Sequence, residues 1–236
     1  MHEVINPYFE MHVQPKIARY KYATESNTRS DRTRIRLLTT ASRVFAEKGF
    51  QESTIAEICK QADTNVASIN YHFVDKETMY LEAWRYAFQL ELAQFPPDGG
   101  VSDLASAEER LAGRIRSLIN RIADDQSYSF AIINRELAQP TRLLATILEH
   151  DLHPQRMLMI NLLKECLGCE GADLLAQYCH ASIMGQCFQL LRLKHIIEAT
   201  PEMTRTHKQL DIKSYTEHVV RFSLAGIQAV RSQFTK

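Results

Sequence analysis

The stretch STIAEICKQADTNVASINYHFVDKETMY, residues 53–80, has neither glycine nor proline and carries two apolar rhythms of helical period separated by a polar break. Thr54-Ile55-Ala56-Glu57 has capping-box spacing, where a hydroxyl and a carboxylate three residues apart satisfy the free N–H groups of a helix start. Ile55, Ile58, Cys59 and Ala62 then form the buried stripe of a short helix. After a turn at Asp63, Val66, Ile69 and Phe73 recur at steps of three and four and predict a second helix of about two turns. With that stripe turned inward, Asn65, Ser68, Asn70, Tyr71 and His72 lie on or near the outer side. So many hydrogen-bonding side chains in close succession suit a surface that meets a polar partner. Polar outward residues of a small helical bundle give the same pattern, and spacing alone leaves both readings open.

Upstream, residues 32–48 also read as helix. At about 100° per residue, Arg29, Arg32 and Arg43 fall within roughly 40° of Arg36, with Leu38, Ala41 and Phe45 on the opposite face and Arg34 as the exception. Gly49 stands where that helix stops. Downstream, residues 76–93 form a fourth helix with Met79, Ala83, Ala87 and Leu90 inward and Trp84, the only tryptophan, at the boundary of that face. It ends at the linker Phe95-Pro96-Pro97-Asp98-Gly99-Gly100. Two short helices joined by a tight turn behind a longer one give helix-turn-helix geometry, in which the second short helix enters the DNA major groove. Asn65, Ser68 and Asn70 suit base edges. Thr54, Tyr71, His72 and Lys76 offer donors or charge to phosphates.

The composition fits a helical protein: 236 residues, 45% apolar, with only eight glycines and seven prolines. The net charge is zero, yet residues 16–48 hold nine Lys/Arg against three acids. That basic segment suits a polyanion, or is a solvated tail. No apolar run reaches the roughly 18 residues of a membrane span, and the N-terminus has no signal-like apolar stretch. An odd count of five cysteines suits reduced thiols, so the expected location is the cytoplasm. Residues 1–28, with Pro7 and Pro15, read as a mobile or loosely docked arm.

The segment RLLTTASRVFAEKGFQESTIAEICKQADTNVASINYHFVDKETMYLEAW, residues 36–84, resembles the DNA-binding domain of TetR/AcrR transcriptional regulators. The resemblance covers about residues 32–84. It is carried by Ala41 with Phe45, Gly49-Phe50, Thr54 with Ile55, Ile58 and Ala62, and most specifically by Tyr71-His72-Phe73, Lys76-Glu77 and Tyr80-Leu81. Two positions depart from the family pattern. Asp63 stands where glycine is usual in the turn, and Asn70 where tyrosine is common. The resemblance implies a homodimer reading a palindromic operator, and a C-terminal helical domain that binds an effector and dimerises.

Beyond the linker, helices are expected near 103–123, 127–138, 141–150, 154–167, 171–194 and 211–232, with Pro140, Pro154 and Pro201 at or near the breaks. No segment alternates as a strand does, so the fold class is all-α: a helix-turn-helix unit with its connecting helix over 29–94, then a helical bundle over 101–236. Phe130, Met157, Tyr178, Met184 and Phe188, with His180, are candidate walls of a pocket for a small hydrophobic or drug-like effector, although such a stripe also describes plain core. Two further stripes run along the last helices: Leu174, Tyr178, Ala181, Gly185 and Phe188, and Ile212, Tyr215, Val219, Phe222 and Gly226. They seal one core, or, as the resemblance implies, pair with a second copy, where Gly185 and Gly226 permit close approach.

Enzyme signatures are missing. No glycine precedes Lys-Ser or Lys-Thr, there is no His-Glu-x-x-His, and no glutamate is followed by histidine three residues on. Cys166-Leu167-Gly168-Cys169 is a lone pair of thiols without a second pair to complete a metal site. The expectation is a non-enzymatic regulator without cofactor or metal, whose partners are operator DNA, a small effector and a second copy. The alternative is a helical small-molecule-binding protein or enzyme whose N-terminal bundle is only structural; salt-sensitive retention on DNA separates the two.

Overall fold

The computed structural model of the chain describes residues 28–168, 172–199 and 211–234. The N-terminal arm (all but Thr28), Cys169 and Pro201 therefore lie outside the described residues. Among the described residues there are ten α-helices and no strand.

α1, Arg29–Glu52, begins three residues before the periodic pattern because Thr28 and Asp31 close a complete capping box, with the Thr28 hydroxyl accepting from the Asp31 N–H at 3.1 Å. Gly49 ends its regular part: φ 76° and ψ −179° is a backbone region open essentially to glycine. A Cβ there would sit 3.7 Å from the Arg135 Cδ, an ordinary contact, so the constraint is conformational and not steric. Gly49→Ala is expected to cost about 1–3 kcal/mol in urea unfolding. An unchanged midpoint would contradict this backbone.

α2, Ile55–Gln61, buries Ile58 and Cys59, and Ala62 caps it. Its capping box is only half built. Thr54 accepts from the Glu57 N–H at 3.1 Å, but the Glu57 carboxylate turns away to Lys48 at 2.6 Å and Gln61 at 3.0 Å. Asp63 adopts φ 48°, so the turn keeps the left-handed conformation that aspartate tolerates.

α3, Val66–His72, packs through Ile69 and its C-cap Phe73. Val66 departs from the expected stripe. It is 49% exposed, because it opens the helix beyond the edge of α1 and α2. α4, Lys76–Gln94, buries two rows spaced by four residues, Met79-Ala83-Ala87-Glu91 and Tyr80-Trp84-Phe88-Leu92. Leu90 belongs to neither row and is exposed, which corrects its expected inward place. Trp84 is fully buried, stacked on Phe88 at 4.9 Å, and not at a boundary.

The linker after α4 lies tight against α5, Ala107–Ala123. A Cβ on Gly99 would come 2.3 Å from the Gly113 carbonyl oxygen, so the two backbones approach as only glycines allow. α6, Tyr128–Ala138, follows, then α7, Arg142–Thr146, and α8, His153–Leu167. Pro154 does not break the chain there. A π-helical turn, Ile147–Leu152, joins α7 to α8. A wider turn absorbs both the missing N–H and the ring clash with the preceding carbonyl. α9, Ala172–Ala199, and α10, Ile212–Phe234, complete the fold.

Two cores result. One gathers α1 to α4 and also takes Ile132 and Ile133 from α6, with Leu143 and Ile147 beyond it. The other joins α5, α8, α9 and α10 around Ile115, Leu163, Ile183, Cys187 and Val219. α6 ties them together. Its buried Glu136 accepts from the Tyr80 hydroxyl at 2.7 Å and from the Thr141 N–H at 2.9 Å. Arg135 donates to the Ala46 carbonyl at 2.7 Å and also to that of Glu47. The Trp84 indole N–H donates to the Ser129 carbonyl at 3.2 Å.

Candidate functional site

The exposed side of α3 faces the start of α1 across an open hollow of about 450 Å³, lined by Arg29, Ser30, Thr33, Asn65, Ala67, Ser68, Tyr71 and His72. Four of the residues expected from sequence therefore share one surface. Asn65 is the N-cap of α3, and its side-chain oxygen accepts from the Ser68 N–H at 2.9 Å and the Ser68 hydroxyl at 3.1 Å. That leaves its amide N–H groups to donate outward. Asn70 and Tyr71 are exposed, and the Tyr71 ring meets His72 edge-on at 4.9 Å. Burial, then the charge of Arg34, lowers the His72 imidazole below its ordinary pKa, which favours its neutral form.

Of the three expected residues that do not line the hollow, Asn70 is exposed on α3 and the other two lie at the edges. Thr54 opens α2, and Lys76 opens α4 with its ammonium 4.5 Å from the centre of the Phe50 ring. The basic face of α1 divides. Arg36 reaches the Asp63 carbonyl at 3.3 Å, and Arg43 reaches Gln61 at 2.7 Å, so both brace the turn. Arg29 and Arg32 stand exposed beside the hollow or near it. Arg34 lies over the Phe73 ring at 5.4 Å and pairs with Glu82, which accounts for its position off the basic face. Ser30, Thr33 and Ala67 were not singled out by sequence; only the approach of α1 to α3 brings them in.

In the second core, Phe130 and Phe188 meet edge-on at 5.8 Å, and Met157, His180 and Met184 are half-buried. Burial, then Arg156, lowers the His180 pKa. Tyr178 does not join them, because it is 61% exposed on the outer side of α9. Gly185 shares that outer side, and Phe222 (61% exposed) and Gly226 stand out from α10. Val219 is only 1% exposed, packed within its own protomer, and Tyr215 is half-buried with its hydroxyl donating to the Gln186 carbonyl at 2.6 Å. The α10 stripe thus splits. Val219 serves the core and Phe222 with Gly226 faces out, because steps of three and four drift across the helix.

A polar cluster that sequence reading did not find lies where α4, α5 and α6 meet. Glu91, buried in the apolar row of α4, accepts from the Ser129 N–H at 2.9 Å and from its hydroxyl at 2.5 Å. Burial holds its carboxyl up at about 7, against these hydrogen bonds and the nearby charge of Arg121. Burial likewise brings the Arg121 guanidinium down to about 10. The one available signal was an acid standing four residues after Ala87 in an otherwise apolar row. Cys166 is buried at the end of α8, and burial pushes its thiol up to about 11, which disfavours the reactive thiolate. Among the described residues no group of three or more His, Cys, Asp or Glu is placed to hold a metal ion, and no helix is long and apolar enough to cross a membrane.

Residues 37–83 match the model of the tetR family of bacterial regulatory proteins. Residues 107–227, just over half of the chain, match the C-terminal domain of the HTH-type transcriptional dual regulator CecR. The chain belongs to the TetR family of transcriptional regulators. Within this family it is 25% identical over 155 residues to the dual regulator CecR of Shigella flexneri, covering 61% of this chain and 69% of that protein. The fold is shared with the transcriptional regulator FadR of Bacillus subtilis, solved with stearoyl-CoA, at a TM-score of 0.61 and 20% identity over 81% of this chain and 98% of that one. A TetR-family transcriptional regulator from Streptomyces coelicolor matches at a TM-score of 0.56 and 19% identity, covering 86% of this chain and 90% of that one. As a TetR-family member the chain is a DNA-binding transcriptional regulator, with α3 as the second helix of its helix-turn-helix.

Proposed function

We propose that this regulator acts in the cytoplasm as a homodimeric repressor, each protomer laying α3 into one major groove of a palindromic operator. Residues 29–94 form the reading unit and residues 101–236 the effector-binding and dimerising unit. The observation that carries the reading is the shared exposed surface of α1 and α3, where Asn65, Ser68, Tyr71 and His72 stand beside Arg29 with Ile69 and Phe73 anchored behind. Asn65, Ser68 and Asn70 meet base edges; Thr54, Tyr71, His72 and Lys76 meet phosphates. A small hydrophobic or drug-like effector binds beside Phe130 and Phe188 and favours a conformation whose reading heads no longer match both half-sites. Regulation follows only from a difference in effector affinity between the two states.

The test is selection of an operator from a random duplex library, followed by titration of variants. Asn70→Ala is expected to cost about 1–3 kcal/mol and to relax preference at one base step. Lys76→Ala is expected to weaken all sequences alike and to reduce the salt slope by about one. Unchanged affinity and preference in both variants would remove α3 from the groove.

A further inference from the structure

The region where α4, α5 and α6 meet holds more polar demand than the protein itself satisfies. Arg121 is 8% exposed, and its Nε has no hydrogen-bond partner among the described residues. Ser127, 5% exposed at the start of α6, leaves its hydroxyl equally unmet and makes no cap hydrogen bond. Each buried orphan donor costs about 1–3 kcal/mol, and native proteins keep few of them. The guanidinium stands 5.8 Å from the centre of the Phe130 ring, and that ring meets Phe188. A buried cation edge beside aromatic walls is the chemistry that holds an aromatic or apolar acid.

We propose that Arg121 is the anchor for the carboxylate of an aromatic or apolar acid, and that Glu91 takes up a proton when this acid binds. The proposal rests on the reading of the protein as effector-responsive. The groups acting on Glu91 are Ser129 from α6, and Arg121 and Asp124 from α5 and its cap, while Arg114 acts on Arg121 in turn. The Ser129 hydrogen bonds, and after them the charge of Arg121, favour the Glu91 carboxylate against burial. An incoming carboxylate engages that charge and adds a like one, so Glu91, which titrates at about 7, becomes protonated. Acid binding is therefore coupled to proton uptake and strengthens as the pH falls.

Trp84 reports the event, because its indole N–H holds the same Ser129 that holds Glu91. The full chain is titrated with benzoate, 2-naphthoate and octanoate and with their primary amides, following the emission of this only tryptophan. The carboxylates are expected to change the emission, with affinity rising by up to about tenfold per unit from about pH 8 down to about pH 7. Arg121→Met, which keeps the apolar stem and removes the charge, is expected to weaken the carboxylates about tenfold or more and the amides hardly at all. Glu91→Gln is expected to keep carboxylate binding and lose its pH dependence. The proposal is overturned if no carboxylate of the panel changes the emission at millimolar concentration, if Arg121→Met binds them as wild type does, or if wild-type binding ignores pH. Operator binding is measured in parallel. Its absence alongside an intact carboxylate response sinks the regulator reading alone, and the reverse sinks this subsite alone.

Discussion

Phe222→Asp is expected to convert the protein to a monomer and to weaken operator binding by about 10²–10⁴-fold. The outer sides of α9 and α10 expose Leu174, Tyr178 and Phe222 together with Gly185 and Gly226, and a Cβ on either glycine would meet nothing within 4 Å in the protomer. Exposed apolar side chains interspersed with glycines suit close packing against a second copy of the same two helices. An aspartate buried there without a partner costs about 3–5 kcal/mol, enough to dissociate a dimer at micromolar concentration. The monomer then meets one half-site at a time and loses the effective concentration that couples two reading heads, which sets the expected loss. Sedimentation and operator titration check the two halves separately. A stable dimer of the variant would place the interface elsewhere. Val219→Asp is the contrasting substitution: Val219 lies in the protomer's own core, so it should unfold the chain rather than split a dimer.

Glu91→Gln is expected to stabilise the protein at about pH 8 and to remove a component of stability on the order of 3 kcal/mol that wild type loses on going up from about pH 4.5. The sign follows from the direction of the shift. The folded carboxyl titrates at about 7, above its unfolded value, so the folded state binds the proton more tightly. Its contribution is complete below the unfolded pKa and is lost as the pH rises through the folded one. Other groups act differently. His72 and His180 are lowered, so their contributions are lost as the pH falls below the ordinary histidine value, and they oppose Glu91 across the same range. Asp75, Glu109, Asp211 and Glu217 are also lowered, and their contributions fade only in more acid solution. The measurement is therefore the difference between wild type and Glu91→Gln in urea unfolding at several pH values. A difference that stays flat from about pH 5 to about pH 8 would show that Glu91 is not held neutral by its surroundings.

The reading helix and its frame were legible in the sequence because they rest on local rules. Apolar residues at steps of three and four, Thr54 three residues before Glu57, and Gly49 at a helix end each act within a few residues of chain. The family resemblance added the groove-facing role of α3. It could not show that Asn65 is spent partly on its own helix cap, nor that Asp63 takes positive φ. Three features were decided only by the tertiary structure, each through contacts distant in sequence. Val66 and Leu90 are exposed although they fall on or near apolar rhythms, because periodicity marks a face and says nothing about how far the neighbouring helix reaches along it. Val219 and Phe222 part company because α10 packs on α5, α8 and α9 through one side alone. Glu91, Arg121 and Ser129 come from three helices, so no window of sequence contains the cluster. Its protonation balance exists only where folding withdraws them together from water.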